Sequence, residues 1–432
     1  MTPAIDVNSA AQTEHTDEEP LDPTSDTNQG SINQGSHRNH YTQFKRYLRR
    51  NISYVQRMVA ATNQPLAEEM RQQALHTLSY AFGEADLWPL VRELLQALAP
   101  KMELAGHRED WLPYLQRGRE ESERFGDATL AAECNLQIGI IYRLLSDFAE
   151  ARKNFTASIA QAAQNQDIHN QARGLNELAW LEHLQHHYAD AIKHSSQALE
   201  ILPEADVEQA MSYRVLGMVA IDREEWEKAE QLHRDALSIF RLHGDQRRAA
   251  WSVQNLAYAL RGQQRYGSAV QYYQEALSTL QDVGDHHSVA VVQFNLGITY
   301  YQAGNIESAI HCFQQAITVF KRFNNRLFLA RIHTDLGLAY LGQDNFSKAE
   351  DAFAISVKLF NELNDISWSL NAMDGLGMTY IAMRQNHKAE TTLQEAIALL
   401  PLATSAPNYD YLKSTLFEHL EESRRGQVDI SL

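Results

Sequence analysis

Cysteine is nearly absent: Cys134 and Cys312 are the only two in 432 residues, far apart and in no metal-ligand spacing. That excludes a disulfide framework and a cysteine-based metal site, and points to a reduced, cytoplasmic setting with two packed thiols. No apolar run approaches bilayer-spanning length, so no membrane partner is expected. The opening MTPAIDVNSAAQTEHTDEEP lacks both a basic n-region and an apolar h-region, which argues against a secretory signal. The phosphate-cradling pattern Gly-x-x-x-x-Gly-Lys-Ser/Thr does not occur. No Ser/His/Asp, Cys/His or paired-carboxylate arrangement stands out, so neither catalysis nor a cofactor is expected. Positive charge is also short, with 38 Lys and Arg against 55 Asp and Glu and a net charge of −17. Such a balance disfavours non-specific nucleic-acid binding by the whole molecule and favours protein partners.

What the chain does have is organised in order. Residues 1–40 are polar and acidic, with seven acids from Asp6 to Asp26 and a single base, Arg38. A segment with so little apolar surface cannot offset its ordering entropy, so it is expected to be a disordered leader. Over 41–61 the sign reverses: Lys45, Arg46, Arg49, Arg50 and Arg57 occur without an acid, and Phe44, Leu48, Ile52, Val55 and Val59 recur at helical spacing. This basic amphipathic helix is expected to pack its apolar face, and it is the one place where nucleic acid or a lipid surface could be met. Two helices follow, one from about Pro65 to Gly83 and one from Asp86 that Pro100 should kink or end. Residues 41–106 form a helical cap on this reading.

The strongest signal is a repeat. Gly139, Ala179, Gly217, Ala257, Gly297, Gly337 and Gly377 recur at 40-residue intervals, with one interval of 38. Alanine stands twelve residues after each of the seven: Ala151, Ala191, Ala229, Ala269, Ala309, Ala349 and Ala389. A small residue follows again at Ser158, Ala198, Ala236, Ala276, Ala316, Ser356 and Ala396. Small residues let two helices cross closely, and bulky ones such as Tyr300, Phe313 and Phe320 fill the space beside the crossing. Gly126-Asp127, Gly244-Asp245, Gly284-Asp285, Asn324-Asn325 and Asn364-Asp365 mark the breaks between units, a left-handed residue followed by a cap.

This pattern resembles the tetratricopeptide repeat family, in a long-repeat form like that of bacterial regulators and adaptor proteins. The period exceeds the usual span of about 34 residues. The resemblance implies an all-α, right-handed α-solenoid of helix pairs over 107–402, one degenerate unit and seven clear ones, closed by a capping helix and tail over 403–432. Tyrosine, usual three residues after the small one, is replaced by Glu182, Ala220 and Leu260. The entry, from Leu87 to Asp127, looks like the approach to the repeats of bacterial signalling ATPases. The missing phosphate-binding pattern bars any transfer of ATPase activity.

The family lines its concave face with first-helix residues at fixed offsets, which here gives Arg143, Arg173, Asn176, Trp180, Arg214, Trp251, Gln254, Tyr258, Arg261, Phe294, Tyr301 and Arg331. Asn255 and Asn295, two before the small residue, match an asparagine that holds the backbone of an extended peptide in long-repeat members. Arginine forks and aromatic rings imply a groove for an acidic or extended peptide segment of a partner protein. The function expected is an adaptor or regulatory subunit; the alternative is a sensor whose superhelix changes pitch when a peptide binds. The acidic leader is a candidate for occupying that groove from within the chain. His183, His186, His187 and His194 fall around a turn that breaks any shared face, so no metal is expected there.

Overall fold

The computed structural model describes residues 29–61, 66–105, 108–404, 406 and 408–428. Among these the chain forms nineteen α-helices, one short 3-10 turn and no strand. Three helices open it: α1 (Gln29–Ala60), α2 (Glu68–Ala81) and α3 (Trp88–Ala105), with α4 (Arg108–Phe125) leading into the array. Seven pairs follow: α5 (Ala128–Leu144) with α6 (Phe148–Gln164), α7 (Ile168–Leu184) with α8 (Tyr188–Ile201), α9 (Val207–Asp222) with α10 (Trp226–Leu242), and α11 (Gln246–Gly262) with α12 (Tyr266–Asp282). The last three are α13 (His286–Gln302) with α14 (Ile306–Arg322), α15 (Arg326–Leu341) with α16 (Phe346–Glu362), and α17 (Ile366–Ala382) with α18 (Asn386–Leu399). A 3-10 turn over Leu400–Ala403 leads to α19 (Tyr409–Val428). The fold is the all-α solenoid expected.

One turn is reused from pair to pair. Gly126, Gly244, Gly284, Asn324 and Asn364 take positive φ. The next residue then caps the following helix: Asp127, Asp245, Asp285, Asn325 and Asp365 accept from the backbone N–H of Leu130, Arg248, Ser288, Phe328 and Trp368. The same capping residue sends its own N–H back to the last turn, as from Asp245 to the carbonyl of Phe240 at 2.9 Å. Left-handed geometry at the break and a short polar side chain after it therefore set the pitch of the array. The single 38-residue interval has a local cause: α8 stops at Ile201, just before Pro203, and a shorter second helix results.

The small residues are notches. A Cβ on Gly139, Gly297 or Gly337 would lie 2.6 to 2.8 Å from the ring of Phe155, Phe313 or Phe353 on the partner helix. All three rings are fully buried. At Gly217 the notch holds His233, and at Gly377 it holds Leu393. Each of these five pairs thus buries one large side chain against a bare backbone, which fixes how closely its helices cross.

At the start of the array one core runs without a break. Leu48, Ile52, Val55 and Val59 of α1 join Leu78, Leu94 and Leu98, and the cluster reaches Ile138 of α5. Lys45 meets Glu84 at 2.7 Å and Asp86 at 2.6 Å, so part of the basic face of α1 is tied to the turn before α3.

The structure departs from expectation at four places. α1 begins at Gln29, inside the stretch expected as leader, because polar residues without proline extend a helix already anchored downstream; residues 1–28, the rest of that leader, lie outside the described residues. Pro100 does not end α3, which runs on to Ala105, since buried Leu94, Leu95, Leu98, Ala99 and Met102 hold both sides of the missing hydrogen bond. Phe44 lies exposed, edge-on to Tyr80 at 6.4 Å, instead of joining the apolar face of α1. In α19, where the sequence spacing sets Tyr411 on one face with Leu412, Leu416 and Leu420, the three leucines make the buried face while Tyr411 lies exposed.

Candidate functional site

First helices of successive pairs touch one another along the array, α7 on α9, α11 on α13, α13 on α15 and α15 on α17, whereas second helices do not come as close. The first-helix row is therefore the inner side of the curve. The side chains proposed from the sequence sort along it by what they touch.

At the α5–α9 end the arginines are engaged. Arg143 pairs with Glu177 at 3.1 Å, and Arg173 bonds Glu133 and Asn170. Asn176 is fully buried, donating to the Glu208 carbonyl at 2.9 Å and accepting from Ser212 at 2.7 Å, so it pins α7 to α9 and offers nothing to a ligand. Phe294 likewise belongs to the core, tilted against Phe313 and edge-on to Phe328. Both were expected in the groove; neighbouring helices cover them, whereas Arg214 and Gln254 at the same offset stay half-buried.

From α9 onward the picture changes. Arg214 stands between two indoles, 4.7 Å from the Trp180 ring and 5.2 Å from that of Trp251. Among the described residues its only hydrogen-bond partner is the Met211 sulfur at 3.8 Å, and its Nε has none. Burial pulls its pKa down to about 10, with Glu177 opposing and Arg143, Arg248 and Arg247 adding to the fall, so it stays charged near neutral pH. Behind it the buried His233 imidazole is driven by burial, then by Arg214, down to about 3, and is neutral. Arg261 lies 4.2 Å over Tyr258, and Arg331 lies 5.0 Å over Trp368. Among the described residues Arg261 Nη1 and Arg331 Nε are buried without hydrogen-bond partners. Among the described residues no carboxylate pairs with Arg214, Arg261 or Arg331.

Gln254, Asn295 and Tyr301 are half-buried on the same face, and Asn255 is nearly covered. Trp251 is braced by a hydrogen bond from its Nε1 to Ser288 at 3.1 Å and by Arg247 over its other side, which is itself held by Asp285 at 2.8 Å. Sequence reasoning missed Trp368, which sits in the first turn of α17, ahead of the offsets used. Asp335 holds the place of Asn255 and Asn295 one pair later.

The histidines do not converge. His183 stacks on Trp180 and meets Asp222 at 2.9 Å, His187 meets Glu182 at 3.0 Å, and His186 meets the Tyr188 hydroxyl at 2.9 Å. Among the described residues no three His, Cys, Asp or Glu side chains group as metal ligands would. No described helix is long and apolar enough to cross a membrane.

Stacked helix pairs with a polar and aromatic inner row define a repeat-built α-solenoid. A tetratricopeptide repeat model matches residues 129–204, 208–282 and 248–322, and another matches 294–363. Together they cover more than half of the chain, which belongs to the tetratricopeptide repeat family. A search of curated proteins finds no match. Among solved structures, a Signal Transduction ATPase with Numerous Domains carrying a tetratricopeptide repeat sensor, from Pyrococcus horikoshii, superposes with a TM-score of 0.56 at 16% identity. The match covers 88% of this chain and 62% of that one, so the chain spans less than two thirds of its length. A Rap protein complexed with Competence and Sporulation Factor gives 0.52 at 14% identity, over 79% of this chain and 99% of that one. The APC/C hetero-tetramer Cut9–Hcn1 gives 0.52 at 16%, over 71% and 56%. At such identities the likeness is one of fold.

Proposed function

We propose that the inner face from α9 to α17 binds an extended, acidic segment of a partner protein, and that the chain acts as an adaptor or regulatory subunit through that contact. The observation that carries this is the set Arg214, Arg261 and Arg331: three guanidiniums stacked on aromatic rings, without a carboxylate partner among the described residues, in a chain of net charge −17. A half-buried cation with unmet N–H groups is unfavourable alone and is relieved by a carboxylate, to which arginine donates two parallel bonds. Aromatic stacking fixes the direction of each fork before the ligand arrives, which lowers the ordering cost of binding. Asn255 and Asn295 stand in one register on adjacent helices, where their amides can take the backbone of an extended strand while the arginines take its side chains. The resemblance of fold to a Rap protein crystallised with Competence and Sporulation Factor fits such a role without naming a ligand.

The test is capture of partners from the native host on wild type and on the double variant Arg214→Glu, Arg261→Glu, with both shown by circular dichroism to be folded. The expected result is a partner held by wild type and lost by the variant, with an acidic stretch that binds as a synthetic peptide. A partner retained equally by both would place the contact elsewhere and overturn the reading.

A further inference from the structure

Opposite its buried face, α1 carries a second row of side chains. Leu48, Ile52, Val55 and Val59 turn inward against α2 and α3. Arg46, Tyr47, Arg50, Tyr54 and Arg57 share the outward face, and all five are exposed, Tyr47 to 65% and Tyr54 to 43%. The acids nearest to α1 are already engaged. Glu84 and Asp86 hold Lys45 at 2.7 and 2.6 Å, Asp86 also meets Arg49 at 3.5 Å, and Tyr41 donates to Glu84 at 2.5 Å. Glu93 accepts from Gln56 at 3.2 Å. Arg57 donates its Nε to the Ser53 carbonyl at 3.2 Å, and among the described residues no carboxylate pairs with Arg46, Arg50 or Arg57. No Asp or Glu occurs from residue 41 to 61, so this face is a positive strip on a chain of net charge −17. Exposed tyrosine and arginine side by side are the composition of a contact surface.

The same chain carries the matching charge just ahead of α1. Glu14, Asp17, Glu18, Glu19, Asp22 and Asp26 occur there without a Lys or Arg, and Leu21 is the only leucine before Gln29. Pro20 and Pro23 break a helical pattern and bias Glu19 and Asp22 toward extended backbone. The lengths agree. Arg46 and Arg57 stand 17 and 28 residues after Gln29, which is about 26 and 42 Å along the helix. Asp22 and Glu14 stand 7 and 15 residues before Gln29, and an extended chain of about 3.1 Å per residue takes them about 22 and 46 Å from it. The acids bracket the arginines. On the same measure Leu21 falls level with Tyr47.

We propose that the Glu14–Asp26 stretch folds back at Gln29 and lies antiparallel along the outward face of α1, its carboxylates on Arg46, Arg50 and Arg57 and Leu21 against the ring of Tyr47. Single exposed ion pairs are weak. Here several act together, and the tether supplies the acids at an effective concentration on the order of millimolar. The guanidiniums gain the forked carboxylate contacts that the neighbouring helices do not give them. The strip is thereby closed to other polyanions, nucleic acid included. The contact does not involve Arg214, Arg261 or Arg331, so it is independent of the peptide reading above.

The experiment uses the full chain with nitroxide labels on Thr16→Cys and Ala60→Cys, Cys134 and Cys312 being buried. Double electron–electron resonance at low ionic strength reads the distance between the labels. The expected result is a narrow distribution below about 25 Å, because the docked stretch carries Thr16 almost to the end of α1. An undocked stretch would give a broad distribution near about 50 Å, the length of α1 combined with a random coil of 13 residues. Arg46→Glu, Arg50→Glu and Arg57→Glu together, with the fold checked by circular dichroism, are expected to shift the short distance to the long one. So is the neutral stretch Glu14→Gln, Asp17→Asn, Glu18→Gln, Glu19→Gln and Asp22→Asn, which touches no residue of the core and therefore decides the matter even if the first variant fails to fold. A broad distribution without these changes overturns the inference and leaves the strip open to a partner in trans. A short distance that survives either set of changes overturns it too, and loss of that distance in Arg214→Glu, Arg261→Glu would then place the stretch on the inner face instead.

Discussion

Arg143 and Arg173 lie on the same inner face as Arg214, Arg261 and Arg331, and a list of residue types cannot separate them. Their surroundings do. In the first two pairs every guanidinium meets a carboxylate: Arg143 with Glu177, Arg173 with Glu133, and Arg152 of α6 with the fully buried Glu182. From α9 onward Arg247 and Arg248 still meet carboxylates, but Arg214, Arg261 and Arg331 lie over indole and phenol rings, and among the described residues no carboxylate pairs with them. An arginine between two helices of its own chain, paired and hydrogen-bonded as Arg173 is, is a rivet; Arg143 is ion-paired to Glu177, although its Nε is buried without a partner among the described residues. One stacked on a ring with unmet N–H groups is a contact waiting for an anion. The first two pairs therefore read as the stiff end of the array and the central pairs as its receiving end.

This contrast can be broken at several points. The largest effect is expected from Arg152→Ala, which leaves the Glu182 carboxylate buried with only His187 beside it. Loss of one partner of a buried ion pair should cost about 3 kcal/mol, read as a fall in Tm or denaturation midpoint, with ligand affinity unchanged. Next comes acid. The folded His233 titrates near 3, below an unfolded value of about 6.5, so the unfolded chain binds the extra proton and stability falls as pH drops below 6.5. His233→Phe, which puts in the ring that fills the same notch at Gly139, Gly297 and Gly337, should remove up to about 1.4 kcal/mol per pH unit of that acid sensitivity. Urea unfolding at pH 7 and pH 5 measures it. Gly297→Ala brings a Cβ to 2.6 Å from Phe313 and should cost about 1–3 kcal/mol by overpacking, without regard to which end of the array is called stiff. The smallest effect is expected from Arg143→Gln and Arg173→Gln, about 1 kcal/mol each in stability and less than twofold in affinity.

Much of the fold was legible because its determinants are local. The notch glycines, the alanines twelve residues on and the Gly-Asp or Asn-Asp breaks each act within one or two helices, so spacing alone carries them. The site was legible only in part. Arg214, Trp251, Tyr258, Arg261 and Arg331 are half-buried on the first helices, but Asn176 and Phe294, at the offset that Arg214 holds, are covered by neighbouring helices. Whether an offset is open depends on the size of side chains about 40 residues away, and one sequence does not reveal that. Glu182 is the clearest case. Read as the loss of a packing tyrosine, it is an ion pair to Arg152 at the place where Tyr300, Tyr340 and Tyr380 bond Gln274, Gln314 and Glu350 of the preceding second helix. A bridge between pairs is kept there with different chemistry.

The claim that the central arginines receive a ligand while the first ones hold the array is tested most directly by one titration. The captured partner segment, as a synthetic peptide, would be titrated into wild type, Arg214→Glu with Arg261→Glu, and Arg143→Glu with Arg173→Glu, each change of charge being the same. The account predicts a loss of about 100-fold or more for the central pair at nearly unchanged Tm, and for the first pair a lowered Tm with affinity kept within about threefold. Equal losses in both would mean that net charge alone attracts the ligand, and a larger loss at Arg143 and Arg173 would contradict the account.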